Sequence, residues 1–118
     1  MVTKTSWELI ALEPMMAGLQ RQMLNGEKLS LARFHFEPDT KVPRHQHVNE
    51  QLTIVTAGKV KLLFDDGEVT LGKDELILIP SDVPHGAIAL EKSETIEIFA
   101  PRREEWIKKD DSYLRGSK

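Results

Sequence analysis

Three of the four histidines and one glutamine of this 118-residue chain have the types and spacing of a metal-binding set. In Arg44-His45-Gln46-His47-Val48-Asn49-Glu50-Gln51, the residues His45, His47 and Gln51 share odd parity. On an extended segment their side chains project from one face, while Glu50 points the other way. A fourth group comes from Pro80-Ser81-Asp82-Val83-Pro84-His85, where proline and turn residues close one strand and His85 opens the next. Two strands would then meet at one site. Imidazole nitrogens and an amide carbonyl oxygen suit a divalent first-row metal such as Zn, Ni, Fe, Mn or Co, and do not choose among them. A His-x-His pair taken alone suits an exposed alternating face equally well.

The elements that must position these residues are mostly strands. Runs of β-type residues separated by turn signals lie at 28–36, 52–57, 59–64, 68–71, 75–79, 85–90 and 95–99. That is at least seven strands, the pattern of an all-β sandwich or barrel. Gly58 can take the positive φ of a tight turn, and Asp65-Asp66-Gly67 carries the strongest hairpin signal. Beyond Pro101, Glu104 with Lys108 and Glu105 with Lys109 are Glu-to-Lys pairs four apart, which predicts a short C-terminal helix. Trp106 with Tyr113 and Ile107 with Leu114 would give that helix one apolar stripe, and residues 115–118 are expected to fray.

Composition excludes several classes. With 16 Lys and Arg against 19 Asp and Glu the formal charge is −3, so no basic surface marks a nucleic-acid binder. No cysteine is present, which rules out disulfide and zinc-thiolate frameworks. No apolar run exceeds four residues, whereas a spanning helix needs about twenty, so no membrane partner is expected. The N-terminal residues lack an apolar signal core, and a cytoplasmic location is the expectation. The length, without repeats or linkers, predicts one domain over 1–118.

The ordered spacing His45-x-His47, three residues to Gln51, six to Gly58, then Pro80-x-Asp82-x-x-His85 resembles both signature motifs of the cupin superfamily, and the likeness runs from about Trp7 to Ile107. It implies a double-stranded β-helix, or jelly roll, with the metal in the barrel mouth. Three departures are visible: Asp39 and Asp82 stand where glycines are expected, and Ala89 where an asparagine is expected. Gln51 replaces the general motif's glutamate, so no carboxylate ligand offsets the cation and its Lewis acidity should rise.

Among small cupins, His45 to Gln51 together with Glu97-Ile98-Phe99-Ala100-Pro101-Arg102-Arg103-Glu104 is similar to the pectin-degradation cupins, the unsaturated pyranuronate lyases. These open 4,5-unsaturated uronate sugars from pectin or alginate to linear keto forms. The resemblance implies His45, His47, Gln51 and His85 as ligands of one divalent transition metal. It also implies Glu97 and Arg103 in the pocket, with Glu97 standing where the family has an aspartate. In residue chemistry, Glu97 would serve as general acid/base and Arg103 would pair with a carboxylate of a small anionic sugar. Read bare, Glu97 is also a solvated position between Ile96 and Ile98, and Arg103 a charge at a helix start. Two other classes stay open: a three-His iron dioxygenase, and a metal- or small-ligand-binding cupin without turnover.

The remaining conspicuous residues have bland readings. His35 is an alternating strand position, Trp7 and Trp106 are packing anchors, either of which could instead wall the pocket against a sugar ring, and Met15, Met16 and Met23 are core filling. Ile88, Leu90, Ile96 and Ile98 suggest a second apolar sheet face, through which a homodimer is expected.

Overall fold

The computed structural model describes residues 1–110 and Leu114; Tyr113 and residues 115–118, and the expectations placed on them, lie outside the described residues. Side-chain alternation along short strands builds two antiparallel sheets, with strands numbered in chain order. One sheet runs β1 (Glu13–Met16), β2 (Leu19–Asn25), β3 (Ser30–Phe36), β10 (Ser93–Ala100), β5 (Glu50–Ala57) and β8 (Leu76–Ile79). The other runs β4 (Lys41–His45), β9 (His85–Ala89), β6 (Lys59–Phe64) and β7 (Gly67–Gly72). This is the jelly roll that the resemblance implies. No helix among the described residues is long and apolar enough to cross a membrane.

Of the ten strands among the described residues, three lack the apolar alternation that marks the others in sequence. β1 is a four-residue edge strand, and β2 turns Arg21 inward, where it is 2% exposed with its guanidinium over the Trp106 ring at 4.8 Å. β4 contains Pro43, which an edge strand of the smaller sheet can accommodate. The predicted hairpin forms as a two-residue turn, Asp65-Asp66, closed by the Phe64–Gly67 pair. Gly58 has φ 83°, and a Cβ there would fall 2.3 Å from the Lys92 carbonyl oxygen, so β5 can bend into β6 only without a side chain.

The C-terminal helix α1 (Glu104–Ile107) is one turn, and its carboxylates pair differently from expectation. Glu104 bonds Arg102 at 2.7 Å and Glu105 bonds Arg103 at 2.8 Å, each partner lying two residues earlier rather than four residues later. The expected stripe is corrected too: Trp106 and Leu114 enter the core while Ile107 is exposed.

Inside the barrel, one apolar cluster gathers around Leu19, Phe34, Phe36, Phe99 and Trp106, and a second around Val55, Val60, Leu62, Leu71 and Ile79. Across β5 and β10, the register sets Thr53 opposite Glu97 and Val55 opposite Thr95. Thr53, Thr95 and Glu97 line the interior, and Ile96 and Ile98 alternate to the outside. The predicted second apolar face is therefore divided. Ile96 and Ile98 lie on the larger sheet, whereas Ile88 belongs to β9 of the smaller one and Leu90 follows it.

Both aspartates at expected glycine positions adopt left-handed backbone, Asp39 with φ 67° and Asp82 with φ 63°. Aspartate tolerates this region better than most residues, which accounts for the departure from the motif. Asp82→Gly should leave urea stability nearly unchanged, and Asp82→Ala should lower it by about 1 kcal/mol.

Candidate metal centre and cavity

His45 ends β4 and pairs in register with His85, the first residue of β9, bringing their ring centroids to 4.5 Å. His47 does not share an extended strand with them, since the chain leaves β4 at His45 and enters β5 at Glu50. The common parity is thus not what makes the residues converge. A turn brings His47 back, with the Asp82 N–H donating to the His47 carbonyl at 2.8 Å and the ring edge-on to Phe99 at 5.6 Å. One ring nitrogen from each of His45, His47 and His85 then lies within 4.8 Å of the others.

Backbone carbonyls select which nitrogen that is. The Nδ1–H of His45 donates to Pro43 at 2.8 Å, that of His47 to Asn49 at 3.1 Å and that of His85 to Val83 at 2.8 Å. Each bond makes Nε2 the unprotonated nitrogen of its ring. Burial first, and then neighbouring positive charge including Arg103, keeps the rings neutral: His45 falls to about 3, His47 to about 4, and His85 is also lowered.

Two observations fit a cation at this point. The buried Nε2 of His85 has no hydrogen-bond partner among the described residues, which is costly for an acceptor sealed from water. The Nε2 of His47 lies 3.1 Å from Gln51 Oε1, and with Nδ1–H already engaged both atoms are acceptors. A shared positive charge resolves both. The amide orientation follows from its other contacts, since Gln51 Nε2 donates to Thr53 Oγ1 at 2.9 Å and to Glu97 Oε1 at 3.0 Å. Three imidazoles and a carbonyl oxygen make a donor set for a first-row metal.

Glu97 faces this cluster. Burial pushes its carboxyl up to about 7, against the opposing pull of the Thr95 hydroxyl, the Arg103 charge and Thr53. Thr95 Oγ1 donates to Glu97 Oε2 at 2.8 Å. Arg103 is 2% exposed, and its guanidinium lies 4.8 Å from the Phe99 ring and 4.5 Å from the Trp106 ring. Its Nε donates to Glu105 at 2.8 Å and its backbone N–H to Ser30 Oγ at 2.8 Å. His45, His85, Gln51, Glu97 and Arg103 all line one cavity of about 50 Å³, partly open to solvent and otherwise walled by apolar side chains with Thr53 and Thr95.

Of Glu50, His35, Trp7, Trp106, Met15, Met16 and Met23, only Trp106 reaches the cavity. Glu50 is exposed. His35, partly exposed, meets Gln22 at 3.1 Å and Glu94 at 3.8 Å, away from the cavity. Trp7 carries Arg33 over its ring at 5.5 Å, while Trp106 is a cavity wall as well as an anchor. Met15, Met16 and Met23 pack partly buried against the first cluster. Thr53, Thr95 and Asn49 are not singled out by the sequence, and Glu105, expected there only as half of a helical pair with Lys109, belongs to the site through Arg103. For the two threonines the signal was present, because each shares strand parity with Gln51 or Glu97.

A cupin-domain family model matches residues 32–100. The chain belongs to the cupin family. Among solved structures it is similar to an RmlC-like cupin from Shewanella frigidimarina NCIMB 400, with 26% identity and TM-score 0.81 over 86% of this chain and 93% of that one. It is also similar to KdgF from Halomonas sp., with 25% identity and TM-score 0.77 over 81% of this chain and 92% of that one. Oxalate decarboxylase of Bacillus subtilis, a protein with Mn(II) centres, shares the fold at 18% identity and TM-score 0.75 over 86% of this chain and 30% of that one. No curated protein matches the chain in sequence.

Calorimetric titration of chelator-treated cupin with Zn²⁺ or Mn²⁺ should give one site per chain, and His85→Ala should weaken it at least about a hundredfold. The lowered histidines also predict a pH effect on the metal-free protein. His45 is neutral when folded down to about pH 3, but an unfolded histidine protonates near 6.5. Its contribution is fully present above about 6.5 and is lost as pH falls toward 3. The stability difference between wild type and His45→Gln, from urea midpoints, should therefore shrink between pH 6.5 and 4, and a constant difference would contradict the assignment.

Proposed function

We propose that this cupin is a metal-dependent enzyme that opens 4,5-unsaturated uronate sugars, released from pectin or alginate, to their linear keto forms. The observation that carries the reading is that Glu97 and Arg103 line the same cavity as His45, Gln51 and His85. The likeness to KdgF supports it as well. A divalent transition metal held by His45, His47, Gln51 and His85 would supply Lewis-acid polarisation of substrate oxygen.

The remaining roles fall to the chain itself. Ring opening is an isomerisation: the anomeric hydroxyl loses a proton, the bond between C1 and the ring oxygen breaks, C5 becomes a ketone and C4 gains a proton. Glu97, raised to about 7, is available in both protonation states near neutral pH, so it can take the first proton and return one to C4. Arg103 is held between Phe99, Trp106 and Glu105, and it would bind and orient the substrate carboxylate. The apolar walls exclude water from the reacting face.

The reading includes a homodimer. Outward on the larger sheet, Leu24, Leu31, Ile98, Leu52 and Leu78 are register neighbours across five strands, a continuous apolar row suited to a second copy. Sedimentation should then give twice the 13.4 kDa chain mass.

With metal-loaded protein and 4,5-unsaturated galacturonate, loss of the double bond's ultraviolet absorbance should be faster than the spontaneous rate and should stop with chelator. Glu97→Gln should reduce kcat at least about a hundredfold while leaving metal content unchanged. No chelator-sensitive acceleration at full metal occupancy would overturn the substrate assignment. Unchanged turnover in Glu97→Gln would overturn the acid/base role.

A further inference from the structure

We propose that Asn49 is a positioning residue that sets the distance between the histidine cluster and Arg103; the assignment of Arg103 as a carboxylate clamp rests on the ring-opening reading above. Asn49 is 2% exposed and lies in the turn between His47 and β5. Its backbone and its side chain act on two different segments of the chain. The backbone carbonyl accepts the Nδ1–H of His47 at 3.1 Å and so fixes that ring. The side-chain Nδ2 donates to the carbonyls of Pro101 and Arg102, the latter at 3.1 Å. Those are the two carbonyls immediately before Arg103. An amide NH₂ has two hydrogens, and here both are used on successive residues of one segment.

The hydrogen bonds of Arg103 with Glu105 and Ser30 do not do this. Glu105 holds its Nε and Ser30 holds its backbone N–H, but neither residue belongs to the histidine turn. Asn49 touches both the turn and the Arg103 segment, and it contacts them through atoms fixed relative to each other by one short side chain. A carboxylate-bearing substrate that also reaches the cation must span a fixed interval, and Asn49 sets it. Aspartate has the same shape without the hydrogens, and would present a carboxylate to two carbonyl oxygens. It would push the segment away while leaving its own backbone carbonyl on His47.

The test uses the metal-loaded full chain. Asn49→Asp is expected to raise KM for 4,5-unsaturated galacturonate at least about tenfold, with kcat and Zn²⁺ affinity by chelator competition each within about threefold of wild type. In an Arg103→Ala background the same change should alter KM less than about twofold, because the effect runs through Arg103. Equal KM penalties in both backgrounds, or a parallel loss of Zn²⁺ affinity, would overturn the proposal. A crystal structure of the variant gives a readout that needs no turnover. The guanidinium of Arg103 should move by more than about 1 Å from Phe99 and Trp106 with the three histidines in place, and an unmoved Arg103 would overturn the role even if the substrate is a different one. Asn49→Ser, which keeps one donor, takes the same tests if Asn49→Asp does not fold.

Discussion

The hydrogen bond from the Gln51 amide to the Glu97 carboxylate, 3.0 Å long, governs the chemistry available in this barrel. A primary amide can be turned by half a rotation at little intrinsic cost, so its neighbours decide which end faces the histidines. Turned over, Gln51 would set its carbonyl oxygen against Glu97 and lose its donation to Thr53. In the observed orientation the NH₂ group satisfies Glu97 and Thr53 together, and the carbonyl oxygen is left 3.1 Å from His47 Nε2. The acid/base candidate and the metal-ligand candidate are therefore coupled. Removing the acceptor oxygen at position 97 frees the Gln51 amide to turn, whereas an exchange that keeps an acceptor there, such as Glu97→Gln, leaves its orientation in place.

This arrangement requires polar side chains inside an apolar barrel, which is costly unless each finds a partner. β5 and β10 solve the problem by lying next to each other. Thr53, Glu97, Thr95 and Gln51 then satisfy one another across the pairing. The two apolar clusters flank the row and hold its rotamers by packing. Their low dielectric also produces the electrostatics. Burial makes charge expensive on the imidazoles and on Glu97 alike, so the rings stay neutral donors and the carboxyl rises toward neutrality.

The ligand-type residues are legible in sequence because their spacing is fixed by two turns, and the turns carry strong local signals in Pro80, Asp82, Pro84 and Gly58. The jelly roll is legible for the same reason, with most strands bounded by Gly, Pro or Asp. What is not legible depends on tertiary context. Arg21 inside β2 makes sense only once Trp106 is known to sit beneath it. The inward turn of Glu97 reverses the usual polarity of an alternating strand, because the outer face of the larger sheet is itself apolar at Ile96 and Ile98. The convergence of His47 with His45 follows from a turn rather than from shared parity, and Asn49 gains its importance from a segment 52 residues away.

The most direct test of the central claim is anomalous diffraction from crystals of the metal-loaded cupin. The account predicts one peak in contact with the Nε2 atoms of His45, His47 and His85 and with Oε1 of Gln51, with Glu97 on the amide nitrogen. A peak elsewhere, coordination through Nδ1, or a metal that leaves Gln51 outside its ligand shell would contradict it.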